Sequence, residues 1–144
     1  MAIKQVTPPE AHALLGRGCR YLDVRTETEF AEGHPEGAVN IPVVFPDPAT
    51  GGMHANANFV AVVAAHFPPD TKLVIGCASG RRSQMAAEML AQAGYSDLHN
   101  MQGGFGGVRD QAGRTVTPGW RDSGLPLCGG CGPESTYAGL RGDK

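Results

Sequence analysis

The residues in this sequence best suited to chemistry are Cys77-Ala78-Ser79-Gly80-Arg81-Arg82-Ser83. The nucleophilic form of cysteine is the thiolate, and both nearby cations and a helix N-terminus favour it. Arg81 and Arg82 supply the cations and are suited to holding an anionic substrate. The stretch reads as a nucleophilic cysteine, Cys77, set in an anion cradle. A buried cysteine that merely closes a strand is the plainer reading. Gly80, two arginines and Ser83 argue against it, because they make a polar, amide-exposing turn and not a core.

Such a cradle needs a strand before it and a helix after it. Leu73-Val74-Ile75 is a short apolar run that reads as a buried strand. Met85, Ala86, Met89 and Leu90 fall at helical spacing among good helix formers. A strand that turns directly into a helix points the helix's first unpaired N–H groups into the turn, where they attract negative charge.

The rest of the chain supplies a frame of the same kind. Ile3 to Val6 is a strand candidate. Thr7 then caps a helix, with Pro8 at its first position, Glu10 at the capping-box position, and Gly16 and Gly18 at its end. Tyr21-Leu22-Asp23-Val24 reads as a buried strand, and Thr26 caps a short helix over Glu27 to Glu32. Ala38 to Ile41 is a further strand ended by Pro42, and the Pro- and Gly-containing stretch from Phe45 to Asn58 is expected to be an irregular loop. Phe59 to Phe67 is expected to be helical despite its valines, since Ala57, Ala61, Ala64 and Ala65 accompany them, and Pro68-Pro69 ends it. Gly94 stops the helix after the cradle, and Leu98 to Met101 is expected to be the last strand. Alternating strands and helices predict an α/β fold with a mainly parallel sheet. Ligands of such sheets bind at the carboxyl ends of the strands, which is where Cys77 falls.

At 144 residues the chain fits one domain with a real core. A net charge of −2 and a pI near 6.2 do not suggest a nucleic acid or an anionic membrane surface as partner. No apolar run is long enough for a membrane span, and the first residues lack the apolar segment of a secretory signal. The four cysteines, Cys19, Cys77, Cys128 and Cys131, are unevenly spread and do not form a disulfide framework. They point to a reducing compartment such as the cytoplasm.

Three stretches together resemble the rhodanese, or sulfurtransferase, family. The first is Leu22-Asp23-Val24-Arg25 with Glu29-Phe30 close behind. The second runs from Gly33 through His34-Pro35-Glu36-Gly37 to Pro42. The third is the cradle, followed after the next strand by Gly103-Gly104-Phe105. The resemblance covers about residues 3–127 and implies a central five-stranded, mainly parallel sheet flanked by helices on both faces. It also implies a persulfide relay, with Cys77 taking the outer sulfur of thiosulfate or a related donor and passing it to a thiophilic acceptor. That acceptor would be cyanide in an assay, or a thiol such as glutathione or a thioredoxin-like protein. No metal or organic cofactor is needed. Phosphatases and arsenate reductases resembling the family place one residue more between Cys and Arg. The four here, Ala78 to Arg81, make a smaller cradle suited to one sulfur atom. A sulfur carrier or persulfide sensor served by a protein partner is the alternative in a different class, with phosphatase or arsenate reductase activity a distant third.

Roles within the site follow from residue type. Arg81 is expected at the mouth, attracting the sulfonate end of the donor. Arg82 either lines the cradle or pairs with Asp23 or Glu29. Asp23, Arg25, Glu29 and His34 are taken as structural support, because a carboxylate at a buried strand end needs a partner. Ser79 and Ser83 can donate to the sulfur, and Ser83 can equally cap the helix. Gly80 permits a backbone angle or close approach that other residues resist. His12, His54, His66 and His99 have no ligand-like spacing, and Cys19 reads as a packing residue.

The end of the chain departs from the family pattern. Val108 stands near the expected Trp position, and an insert over residues 110–119 precedes Trp120 and Gly124-Leu125-Pro126. The insert reads as a surface elaboration or as a flap near the cradle. The domain is expected to span residues 1–127, with a Gly-rich tail over 128–144. The tail carries Cys128-Gly129-Gly130-Cys131, a possible resolving or acceptor pair for the Cys77 persulfide or a set of incidental thiols. Zinc is disfavoured there, because no second Cys or His pair follows.

Overall fold

A computed structural model describes residues 3–46, 49–78, 81–128 and Tyr137, the side chains of Pro46, Arg81 and Cys128 excepted. Strand β1 (Ile3–Val6) leads into helix α1 (Pro8–Leu15). Thr7 caps α1: its hydroxyl accepts from the Glu10 N–H, and the Glu10 carboxylate accepts from the Thr7 N–H at 2.8 Å. The same box recurs where β2 (Arg20–Asp23) gives way to α2 (Glu27–Glu32), with Thr26 and Glu29 as the reciprocal pair. Each box satisfies two N–H groups that a helix start would otherwise leave unpaired.

Short strands β3 (His34–Pro35), β4 (Val39–Asn40), β5 (Val44–Pro46) and β6 (Met53–Ala55) follow, then α3 (Phe59–His66) and β7 (Leu73–Gly76). Helix α4 (Arg81–Gln92) and β8 (Leu98–Met101) complete the central unit. The sheet order is β1-β8-β7-β2-β4, and every neighbouring pair is parallel. This is the expected five-stranded α/β architecture, with β7 at its centre.

Period-two alternation divides the core between the two faces of the sheet. Leu22, Leu73 and Ile75 join Phe59 and Val63 of α3 and Ala86, Ala87 and Leu90 of α4. Tyr21 and Val74 join Ala11 of α1, Phe30 of α2, Phe105 and Trp120.

Two expectations fail. Residues 45–58 are not an irregular loop throughout, since β5 and β6 pair as an antiparallel hairpin with Phe45 opposite His54. All three β6 residues are exposed, so the strand lacks the apolar alternation that would announce it. Nor is β8 the last strand. β9 (Val108–Arg109) and β10 (Thr115–Thr117) form a hairpin, and β11 (Leu127–Cys128) pairs with β3. The insert is therefore a hairpin, closed by Asp110 Oδ1, which accepts from the Ala112 and Arg114 N–H groups at 2.9 Å each. The boundary expected after residue 127 falls inside β11. Beyond it, Tyr137 is 3% exposed in the α3–α4 core, with Phe45 as a ring neighbour.

Candidate active site

Cys77 follows β7 directly, at the carboxyl edge of the central strand, and is 1% exposed. Its backbone is held from three sides. On one side, β2 lies in register with β7, Asp23 opposite Gly76, and the Val24 N–H donates to the Gly76 carbonyl at 3.0 Å. On another, Phe105 N–H donates to the Cys77 carbonyl at 2.7 Å, and Gly106 N–H donates to the Ala78 carbonyl at 3.0 Å. On the third, Gly104 packs so closely that a Cβ there would stand 2.4 Å from the Cys77 carbonyl oxygen. Gly104 also has φ +59°, a conformation that side chains disfavour. The Gly103-Gly104-Phe105 stretch thus clamps the start of the cradle, a job its sequence does not announce.

The supporting charges are arranged around that clamp. Asp23, 1% exposed, accepts from Arg25 Nη2 at 2.8 Å and from Arg25 Nε at 3.0 Å. Arg25 also donates to the Gly33 carbonyl at 2.7 Å and lies 4.5 Å from the centre of the Phe105 ring. Burial works against the Arg25 charge, but the hydrogen bonds and proximity of Asp23 outweigh it and raise the guanidinium pKa. Asn40 Nδ2 donates to the carbonyls of Asp23 and Arg25 at 3.0 and 2.9 Å, so β4 braces the same corner. Sequence reasoning assigned Asn40 no role. A buried amide next to a strand-end ion pair leaves no local signature.

Arg82 takes the partner role of its two alternatives. Nη1 and Nη2 donate to the two Glu29 oxygens at 2.8 and 3.0 Å, a bidentate pair. Burial pushes the Glu29 carboxyl up, but donors from Arg82 and from the Thr26 backbone and hydroxyl hold it down to about 2. Glu29 thus joins the α2 cap to the first turn of α4.

Ser83 is not the helix cap, because it is the third residue of α4. Its fully buried hydroxyl donates to Asn100 Oδ1. Asn100 donates in turn to Gln5 at 2.9 Å, and this ties α4 to β8 and β1. His34 is buried, stacks on Phe30 with ring centres 3.6 Å apart, and sets Nδ1 2.9 Å from the Phe30 carbonyl.

Ala78 is described and half-buried. Ser79, Gly80, the Arg81 side chain and Cys131 lie outside the described residues, as does the Cys128 side chain. Cys19 is 7% exposed, and burial first, then Asp97, pushes its thiol pKa up, as befits a packing residue.

The model of the rhodanese-like domain matches residues 7–111. The chain belongs to the rhodanese-like family. This rhodanese-like chain is 37% identical over 116 residues to Thiosulfate sulfurtransferase 16, chloroplastic, of Arabidopsis thaliana, covering 81% of this chain and 85% of the relative. It is 40% identical over 95 residues to Rhodanese-like domain-containing protein 15, chloroplastic, of the same plant, covering 66% of this chain and about half (51%) of that relative. Among solved structures, that of Rv0390 from M. tuberculosis superposes with a TM-score of 0.75 at 29% identity, over 90% of this chain and 100% of the other. Among the described residues of the rhodanese-like chain, no helix is long and apolar enough to cross a membrane.

Proposed function

We propose that this protein is a sulfurtransferase that carries sulfane sulfur on Cys77. The Cys77 thiolate attacks the outer sulfur of thiosulfate. A new S–S bond forms, the S–S bond of thiosulfate breaks, and sulfite leaves with the electron pair. A thiolate acceptor then attacks the terminal sulfur of the Cys77 persulfide and takes it, returning Cys77 as thiolate. Nothing is oxidised or reduced overall, so the cycle needs no redox partner. Two covalent half-reactions predict ping-pong kinetics.

One observation carries the reading: Cys77 stands at the carboxyl end of β7 with its own and the next carbonyl clamped by Phe105 and Gly106. The loop that follows therefore starts from a fixed point, as a pre-organised anion cradle requires. Burial of Cys77 keeps a persulfide away from bulk solvent. The relative named Thiosulfate sulfurtransferase 16 supports thiosulfate as the donor. In this reading Arg81 meets the sulfonate, and Ser79, Gly80 and the amides at the head of α4 surround the sulfur. The acceptor is a small thiol or a thioredoxin-like protein, and the compartment is reducing, the cytoplasm in this reading, because the four cysteines form no disulfide framework.

The test is intact-protein mass spectrometry after brief thiosulfate treatment of wild type and Cys77→Ser. The expected result is a gain of one sulfur atom on wild type alone, with sulfur transfer abolished in the serine variant. Sulfur gained equally by Cys77→Ser rejects Cys77 as the carrier. Sulfur gained only from a protein persulfide donor rejects thiosulfate and favours a carrier module.

A further inference from the structure

The insert does more than decorate the surface. Its hairpin returns the chain to the clamp: Trp120 N–H donates to the Gly104 carbonyl at 2.8 Å, and Arg121 N–H donates to the Phe105 carbonyl at 3.1 Å. Trp120 is fully buried, and its indole N–H donates to the Pro126 carbonyl at 2.8 Å, so the turn carrying Arg121 is anchored on both sides. Arg121 itself is exposed. Its guanidinium lies 5.7 Å from the Phe105 ring centre. A methyl group placed on Gly106 would touch both Arg121 Nη2, at 4.0 Å, and the Ala78 carbonyl, at 3.5 Å. Gly106 thus has the Arg121 guanidinium on one side and the Ala78 carbonyl, at the start of the cradle, on the other.

The adjacent carboxylate feels the Arg121 charge but takes its hydrogen bonds from other donors. Asp122 accepts from Arg109 at 3.0 and 3.1 Å and from the Gly119 N–H at 2.9 Å. Among the described residues the Arg121 guanidinium makes no hydrogen bond or ion pair. An anchored, exposed cation without a hydrogen-bonded partner, one glycine away from a nucleophile loop, is placed to meet an incoming anion.

We infer that Arg121 is a substrate-binding residue, supplied from outside the cradle, that engages the anionic end of a small sulfur donor and selects for anionic reagents at Cys77. The inference rests on the sulfur-transfer reading only for the identity of the donor. The test is therefore built on a reaction that needs no sulfur transfer. Alkylation of Cys77 by anionic iodoacetate and by neutral iodoacetamide is followed by mass spectrometry of the Cys77 peptide, in wild type, Arg121→Gln and Arg121→Lys. Circular dichroism checks that the variants fold. The iodoacetate-to-iodoacetamide rate ratio is expected to fall roughly three- to fivefold in Arg121→Gln, the range of an exposed charge pair, and to be largely kept in Arg121→Lys. A merely structural role would change both reagents together. An unchanged ratio overturns the inference whatever donor the protein uses. A fall in the ratio with no sulfur transfer in wild type upholds Arg121 and rejects thiosulfate. With thiosulfate as donor, KM rises by the same factor and kcat changes less. A KM unmoved in Arg121→Gln overturns its role toward the donor.

Discussion

At the level of single residues, the site depends on how closely two backbones approach. Gly104 lies against the Cys77 and Ala78 carbonyls, and an added Cβ would stand 2.4 Å from one and 2.7 Å from the other. Neither neighbour is a flexible side-chain tip, so the backbone itself must move. Gly104→Ala is expected to cost about 1–3 kcal/mol from the positive φ and the clash, and to slow sulfur transfer by shifting Cys77. Urea midpoints and transfer rates check this, and a variant with wild-type values of both would show that the clamp does not set the loop. Gly76, the residue before Cys77, is a similar case: a Cβ there would collide with the Tyr21 hydroxyl. Both glycines are visible in the sequence, but what each one touches is not, because the contacting atoms come from other strands and loops.

Among the secondary-structure elements, the tie between α2 and α4 matters most for the cradle. Glu29 accepts from its own helix cap and from Arg82, and its carboxyl is held at about 2 against an ordinary 4.5. The folded pKa lies below the unfolded one. The pair's contribution is therefore present above about pH 4.5 and lost as pH falls toward 2. Glu29→Gln is expected to lower stability at neutral pH and to flatten the acid limb of stability across that window, as read by urea unfolding at a series of pH values. An acid limb as steep as that of wild type would assign the acid sensitivity to other carboxylates. The Thr7–Glu10 capping box was legible in the sequence, since Thr and Glu three residues apart ahead of an apolar run form a local signal. At Thr26 only the cap is read from the sequence, and its reciprocal bond with Glu29 emerges from the structure. The β5–β6 hairpin was not legible, because exposed residues around Pro46 and Gly51 carry no alternation.

Across the whole molecule, the fold is closed by residues that come after the central sheet. Trp120 packs edge-on to Tyr21 and His12, with ring centres 5.9 and 5.7 Å away, and completes the α1–α2 core. Tyr137 does the same for the other core, where its hydroxyl also accepts from Asn56 Nδ2 at 3.3 Å. Tyr137→Ala is expected to destabilise the protein by about 3 kcal/mol, the order seen when a buried aromatic side chain is truncated. Thermal and urea unfolding measure this, and a change within experimental error would mean that the two cores close without it. The stretch after residue 127 read as a Gly-rich tail because its composition is poor in apolar residues. One aromatic side chain in the right place is enough to contribute to a core, and composition does not register it.

Local pattern alone marks Cys77 as the candidate nucleophile and reveals the strand and helix that flank it, the two capped helices and the parallel α/β class. Each of these rests on neighbours within a few positions, where spacing and residue type act directly on the backbone. That Arg82 pairs with Glu29, 53 positions away, and not with Asp23 follows from the three-dimensional arrangement alone. That arrangement also decided that Gly104 and Phe105 clamp Cys77, and that the insert brings Arg121 back beside the cradle. Those contacts join segments far apart in the chain, and what selects among the possible partners is packing of the whole sheet and its two cores. Local pattern offers Arg82 two carboxylates, Asp23 and Glu29; the bidentate contact between the first turn of α4 and α2 leaves it one.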